Sequence, residues 1–155
     1  MNTKKLSSLI LAAGFGTRLK PLTDEVPKCL ITINNKPILE NWIDKLELIN
    51  TEKVLINTHY LHQKVKQFLV SQKVRKMRIY DVYEENLLGT AGTLIKNFKF
   101  FKGTTTIMVH ADNFTKFNLK NLIRAHYERP PNCLLTMLTF KSSNPSSCGI
   151  VKLNS

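Results

Sequence analysis

The sequence predicts a three-layer α/β domain, a mostly parallel mixed sheet covered on both faces. Three observations lead there. Strand-like and helix-like segments alternate along the chain, the rhythm that builds parallel sheets between helical layers. The first apolar run ends at a pair of glycines, and ligands in such sheets bind beyond the carboxyl ends of the strands. The length, 155 residues, fits one domain, 1–155, large enough to bury a core without staples.

The elements follow in order. Leu6 to Ala12 is an apolar run of strand length ending at Gly14 and Gly16. Lys4-Lys5 before it resembles the start of a secretory signal, but Ser7-Ser8 interrupt the short apolar part, so a buried first strand is the preferred reading. Gly14 to Asn35 has little periodicity and holds Pro21 and Pro27; irregular stretches of this length inside domains are often functional. Pro37 suits a first helical turn, and Ile38, Leu39, Trp42, Ile43, Leu46 and Ile49 follow helical spacing. Lys53 to Asn57 reads as a strand, Leu61, Val65, Phe68 and Leu69 as a helical stripe, and Met77 to Tyr83 as a strand. Thr90 is expected to cap a helix that carries Leu94, Ile95 and Phe98 inward. Thr104 to Val109 is rich in β-branched residues and reads as a strand. Asn118 should cap a helix with Leu119, Leu122, Ile123 and His126 on one face; Cys133 to Phe140 and Gly149 to Leu153 are two further expected strands.

Composition excludes several classes. Six Gly, six Pro and 43% hydrophobic residues rule out collagen, coiled coil and disorder. No run approaches the roughly 20 apolar residues of a membrane span, so no membrane partner is expected. Cys29, Cys133 and Cys148 lack both a disulfide framework and zinc-ligand spacing, which fits a reducing cytoplasm. A net charge of +12, from 23 Lys and Arg against 11 Asp and Glu, favours anionic partners. Lys64, Lys66, Lys73, Arg75, Lys76 and Arg78 concentrate part of it, but no nucleic-acid recognition motif accompanies them. They read as a solvated face, and no nucleic acid is expected as partner. The histidines form no ligand pattern.

The segment Leu11-Ala12-Ala13-Gly14-Phe15-Gly16-Thr17-Arg18-Leu19 carries the chemistry. Glycines separated by one residue let the backbone turn sharply and approach a ligand. Successive N–H groups there make an anion-binding concavity, and Arg18 adds a planar fork for phosphate oxygens. Two familiar phosphate loops do not fit. A dinucleotide fingerprint needs Gly or Ala where Leu19 stands, and a Walker loop needs Gly-Lys followed by Ser or Thr where Gly16-Thr17-Arg18 stands.

Leu11 to Glu40, LAAGFGTRLKPLTDEVPKCLITINNKPILE, resembles the signature of sugar-1-phosphate nucleotidyltransferases. The glycine loop, Pro21-Leu22-Thr23, Pro27-Lys28 and Lys36-Pro37 all match in order. The resemblance continues at Leu88-Gly89-Thr90-Ala91-Gly92 and Val109-His110-Ala111-Asp112-Asn113, and reaches Gly149-Ile150-Val151. It implies a Rossmann-like nucleotide-binding fold and transfer of a nucleotidyl group from a nucleoside triphosphate to a sugar-1-phosphate, with Mg²⁺. Ala12-Ala13 and Leu-Gly-Thr-Ala-Gly look most like guanylyltransferases acting on mannose- or heptose-type phosphates, favouring GTP; UDP- and dTDP-sugar enzymes stay open as alternatives.

By the same resemblance, the backbone of Leu11, Ala12, Ala13 and Gly14 faces the nucleoside. Gly16, Thr17 and Arg18 cradle the triphosphate. Lys28 reaches the reacting phosphates, Gly89 and Thr90 close on base and ribose, Asp112 holds the metal, and Gly149 lies on the sugar-phosphate side. Asp112 also follows the apolar run Ile107 to Val109, and a carboxylate at a strand end suits a hard ion that prefers oxygen. Family catalytic domains are longer than 155 residues. The chain therefore reads as the N-terminal, nucleotide-binding portion of one, shortened at its C-terminus. An incomplete sheet edge would invite homo-oligomers. The alternative function is a non-catalytic domain that binds nucleotide or nucleotide sugar.

Overall fold

Ser7, Ser8, Leu9 and Ile10 are all completely buried. Successive strand residues point to opposite faces, so this strand must be covered on both sides. In the computed structural model, which describes residues 5–72, 74–147 and 149–152, it is β1 (Leu6–Leu11), an inner strand. Lys4, Lys73, Cys148 and Leu153 lie outside the described residues. The chain divides into two units, one ending at Phe117 and one starting at Asn118.

In the first unit, the segment after β1 folds as a 3₁₀ turn (Thr17–Leu19), a short helix α1 (Leu22–Glu25) and a second 3₁₀ turn (Lys28–Leu30). An antiparallel ribbon follows, β2 (Thr32–Ile33) and β3 (Lys36–Pro37). Asn34 and Asn35 join them with φ of 52° and 61°, a tight hairpin turn that asparagine tolerates. Helix α2 (Ile38–Leu48) begins after Pro37 and buries Ile38, Leu39, Trp42, Ile43 and Leu46, as its spacing predicts. Strand β4 (Lys53–Thr58), helix α3 (His62–Ser71) and strand β5 (Arg78–Tyr83) come next. Helices α4 (Gly89–Lys96) and α5 (Phe98–Phe101) lead to β6 (Thr105–His110).

The four-stranded sheet has the order β5-β4-β1-β6, and every pair in it is parallel. Antiparallel pairing among the described residues is confined to β2–β3. The chain steps outward from β1 to β4 and β5, then returns to β6 on the other side of β1. That reversal creates a switch point between β1 and β6, the Rossmann-like arrangement in which ligands settle at the strand ends. Leu9, Leu11 and Leu55 pack with Leu94, Phe100 and Phe101. Ile10, Val54 and Ile56 point to the opposite face and are also fully buried. Each such side chain contributes roughly 1.5–3 kcal/mol on burial.

Expectation and structure part in two places here. Thr90 does not cap α4; Leu88 holds the cap position and Thr90 lies in the first turn. Ile95 and Phe98 stand exposed at 73% and 62%, because Thr93 and Leu94 carry the inward face instead.

The second unit contains helix α6 (Leu119–Glu128), capped as expected by Asn118, whose side chain accepts from the Lys120 N–H at 3.0 Å. His126 is half-buried and bonds Thr136 Oγ1 at 3.1 Å. Residues 133–140, expected as a strand, form none, and neither do 149–152. A strand needs a neighbouring strand to take its N–H and C=O groups, and among the described residues no strand lies beside these; Leu134, Leu135 and Phe140 remain exposed.

Candidate functional site

The register fixes where a site can form. Leu11 pairs with Asn57 on one side and His110 on the other, and Asn57 pairs with Val82. These four residues stand in one row across the sheet, so the segments after them emerge at one edge. A cavity of about 240 Å³ opens there, entirely within the first unit. One wall is Leu11, Ala12, Ala13 and Gly14; another is Leu87, Gly89 and Thr90; Lys28, Cys29 and His110 to Asp112 close a third side, and Asn57 and Glu84 line it from the sheet.

Two features shape the walls. Gly16 has φ of 68°, a conformation that costs non-glycine residues and lets the loop reverse. Its carbonyl accepts from Thr23 Oγ1 and from the Leu19 N–H, both at 2.9 Å. Phe15, between the glycines, meets the ring of His59 edge-on with centroids 5.1 Å apart. On the far wall Gly89, with φ of 70°, is the first residue of α4, and a helix N-terminus carries the partial positive charge that favours anions.

Lys28 begins the 3₁₀ turn after Pro27, with Cys29 buried beneath it. The Lys28 ammonium donates to Asp112 Oδ2 in an ion pair across the cleft. Trp42 secures the Asp112 segment from α2, its indole N–H donating to the Asn113 carbonyl at 2.7 Å. Burial pushes the Cys29 thiol up to about 12, with the Asp112 charge adding to it. It is therefore no thiolate nucleophile near neutrality.

Of the residues singled out in the sequence, the structure brings Leu11, Ala12, Ala13, Gly14, Lys28, Gly89, Thr90 and Asp112 to this one cleft. Gly16, Thr17 and Arg18 stand on the turn that continues its first wall, outside the lining; Thr17 and Arg18 are exposed. Gly149 belongs to the second unit. Among the described residues no group of three or more His, Cys, Asp or Glu is placed to hold a metal ion, and no helix is long and apolar enough to cross a membrane.

Sequence reasoning missed a buried polar chain beneath the cleft. Asn57 Oδ1 accepts from the Ala12 N–H at 2.7 Å, while its Nδ2 donates to Glu84 Oε1 at 3.1 Å. Thr93 Oγ1 donates to the same Glu84 oxygen at 2.6 Å. None of Asn57, Glu84 and Thr93 is more than 3% exposed. The signal available in the sequence is a polar residue at or just beyond the end of a strand, Asn57 in β4 and Glu84 after β5.

Comparison with known proteins agrees with this geometry. The family model described as nucleotidyl transferase matches residues 7–155. Mannose-1-phosphate guanylyltransferase 1 of Arabidopsis thaliana is 29% identical over 150 residues, covering 94% of this chain and 41% of that protein. The UTP–glucose-1-phosphate uridylyltransferase of Synechocystis is 26% identical over 157 residues, covering 94% and 40%. The chain thus spans about two-fifths of the length of these relatives. Among solved structures, HddC from Yersinia pseudotuberculosis complexed with GMP-PN superposes with a TM-score of 0.68 over 79% of this chain and 54% of that one, at 23% identity, which bears on the fold alone. A parallel sheet with a cleft at its switch point, a shared fold and a family model that spans nearly every residue lead to one conclusion: this chain belongs to the nucleotidyl transferase family, with its α/β Rossmann-like fold.

Proposed function

We propose that the cleft binds a nucleoside triphosphate, with GTP favoured, and that the chain takes part in nucleotidyl transfer to a sugar-1-phosphate, releasing pyrophosphate. The observation that carries this is the convergence of Leu11 to Gly14, Gly89, Thr90, Lys28 and Asp112 on one cavity. The nucleoside lies between the Ala12-Ala13 and Gly89-Thr90 walls, and the triphosphate runs toward the amides of Gly16 and Thr17 and the exposed guanidinium of Arg18. A sugar-phosphate oxygen attacks the α-phosphorus. The new P–O bond forms as the bond to the β-phosphate breaks, and the electron pair leaves with pyrophosphate. The attacking phosphate is already ionised, so no base is required. What the site must supply is alignment and cationic charge. Lys28 supplies charge at the reacting end, where an incoming phosphate competes with Asp112 for its ammonium.

Asp112 suits Mg²⁺ in the mode in which one carboxylate and the substrate's phosphates share the ion; its side chain is 35% exposed at the cleft. When bound, the ion would neutralise phosphate charge during transfer. Gly149 remains the proposed sugar-side residue of the 1–155 domain. The nucleotide substrates of the proposed reaction favour the cytoplasm. Guanine and a mannose- or heptose-type sugar are the preferred pair, supported by the Leu88-Gly89-Thr90-Ala91-Gly92 segment. Asp112 is the one carboxylate beside Lys28 among the described cleft residues, which favours a second reading, nucleotide or nucleotide-sugar binding without turnover.

The test is pyrophosphate release with Mg²⁺ from a panel of triphosphates and sugar-1-phosphates. Turnover with GTP is expected, falling roughly 10²–10³-fold in Lys28→Ala, the scale of lost transition-state donors. Binding without turnover selects the second reading. No product from any pair, with nucleotide affinity indifferent to Arg18→Ala, contradicts both.

A further inference from the structure

The turn that carries Arg18 has little of its own to hold it. Between Gly14 and Glu25, Thr23 alone is buried, and the segment adds no strand to either sheet. Its internal ties are local: the bonds onto the Gly16 carbonyl from Thr23 and Leu19 and the exposed Lys20–Asp24 ion pair at 2.9 Å. A binding loop that is seated only part of the time loses apparent affinity in proportion to the time it is not. Something outside the segment therefore has to seat it.

The connection from β4 into α3 does so at both ends. Before the 3₁₀ turn, the Phe15 ring meets His59 and Tyr60, with centroids 5.1 Å and 5.7 Å away. After it, the Tyr60 hydroxyl donates to the Asp24 carbonyl at 3.3 Å, and the Lys64 ammonium donates to the Glu25 carbonyl. These are the final carbonyls of α1, and the last carbonyls of a helix have no intrahelical partner. The seat is itself fixed to the sheet, since His59 Nδ1–H donates to the Glu84 carbonyl at 2.7 Å. Leu61 stands between Tyr60 and Lys64 with φ of 48°, a left-handed conformation costly for an aliphatic residue. Such strain persists where surrounding contacts over-determine it, and it concentrates at ligand clamps.

We propose that Tyr60 and Lys64 are positioning residues for the phosphate turn, holding it at Phe15 and at the end of α1 so that Gly16 to Arg18 is preset for a polyphosphate. This rests on the reading of the cleft as a nucleotide site. Neither residue lines the cavity, so both act through the turn and not on the ligand.

The experiment titrates wild type, Tyr60→Phe, Lys64→Met, the double variant, Lys64→Arg and Lys66→Met with GTP and with inorganic tripolyphosphate by calorimetry. Phenylalanine at 60 keeps the ring and removes only the donor. Arginine at 64 keeps a cationic donor. Lys66 is exposed on the same helix and reports the loss of one charge alone. The double variant should lose at least about fivefold in affinity for both ligands, as when the seated fraction falls to about one-fifth. Each single change should give part of that loss. Lys64→Arg should bind as wild type, and Lys66→Met should stay within about twofold of it. In the free protein, amide exchange should quicken at Leu19 and Val26, which bond within the segment, and not at Ala12, which Asn57 holds. Unchanged affinities in the double variant overturn the proposal. So does a Lys66→Met loss equal to that of Lys64→Met, or quickened exchange that extends to Ala12. Each of these outcomes leaves nucleotide binding itself intact. A wild-type protein that binds neither ligand overturns the cleft reading and this proposal together. Should the double variant fail to fold, Lys64→Met against Lys64→Arg decides.

Discussion

Substituting Gly16 by alanine should damage the protein far more than the same change two residues earlier. At Gly16, φ is 68°, and forcing an L-residue into that region costs about 1–2 kcal/mol. The new Cβ would also sit 2.9 Å from Thr23 Cγ2 and 3.2 Å from Lys28 Cβ. Thr23 is completely buried and its hydroxyl is engaged with the Gly16 carbonyl, so it cannot swing away. Overpacking of this kind costs about 1–3 kcal/mol. The two effects together give a loss of about 2–5 kcal/mol. With a urea slope of roughly 2 kcal/mol/M, the midpoint should fall by about 1–2.5 M. At Gly14 an added Cβ meets nothing within 4 Å, so Gly14→Ala should stay within about 0.5 kcal/mol of wild type. A double-mutant cycle separates strain from clash. Thr23→Ser alone removes a buried methyl and costs about 1 kcal/mol; in the Gly16→Ala background it removes the clashing atom and should cost nothing or stabilise. Urea denaturation of the four proteins measures this. A Gly16→Ala protein within about 0.5 kcal/mol of wild type, or a Thr23→Ser cost equal in both backgrounds, would refute the loop geometry.

Two further predictions concern the support of the site. Asp44 sits between Lys36 and Arg75, and Arg75 also meets Glu47 at 3.3 Å. Burial pushes Asp44 upward, but bonds from Lys36 and Arg75 outweigh it and hold the carboxyl below its ordinary 3.8. Glu47 is likewise held below 4.5, its burial offset by the Lys76 N–H and Arg75. A carboxylate depressed in the folded state stabilises above its unfolded pKa, and that stabilisation is lost as pH falls through the folded one. Asp44→Asn should thus cost about 1–2 kcal/mol near neutrality, with the gap to wild type closing below about pH 4; thermal melts across the acid range up to neutrality check the sign. Trp42→Phe removes the donor to the Asn113 carbonyl and should cost about 1–3 kcal/mol, with faster amide exchange in residues 111–114 as the diagnostic.

The alternation of apolar runs makes the four parallel strands legible, because Leu9, Ile10, Val54 and Ile56 have to be buried whatever the loops do. The glycine loop, Lys28, Gly89 and Asp112 are legible because a motif carries residue order, and the fold turns that order into proximity. Residues 133–140 illustrate the opposite case: their apolar composition matches a strand, but strand formation depends on a neighbour that local sequence does not encode. Thr90 misleads as a cap because Gly89 can adopt the left-handed conformation that starts α4 two residues sooner. The Asn57–Glu84–Thr93 chain is hidden because each member reads as an ordinary polar residue near a loop. Only the register of β1, β4 and β5 brings them beneath the cleft.

The most direct measurement is a crystal structure of the protein with Mg²⁺ and a non-hydrolysable GTP analogue. The base should lie between Ala12-Ala13 and Gly89-Thr90, the phosphates should follow the Gly16–Arg18 turn, and Lys28 should have exchanged Asp112 for a phosphate oxygen. A nucleotide bound away from the ends of β1 and β6, with Arg18 and Lys28 turned from its phosphates, would contradict the account.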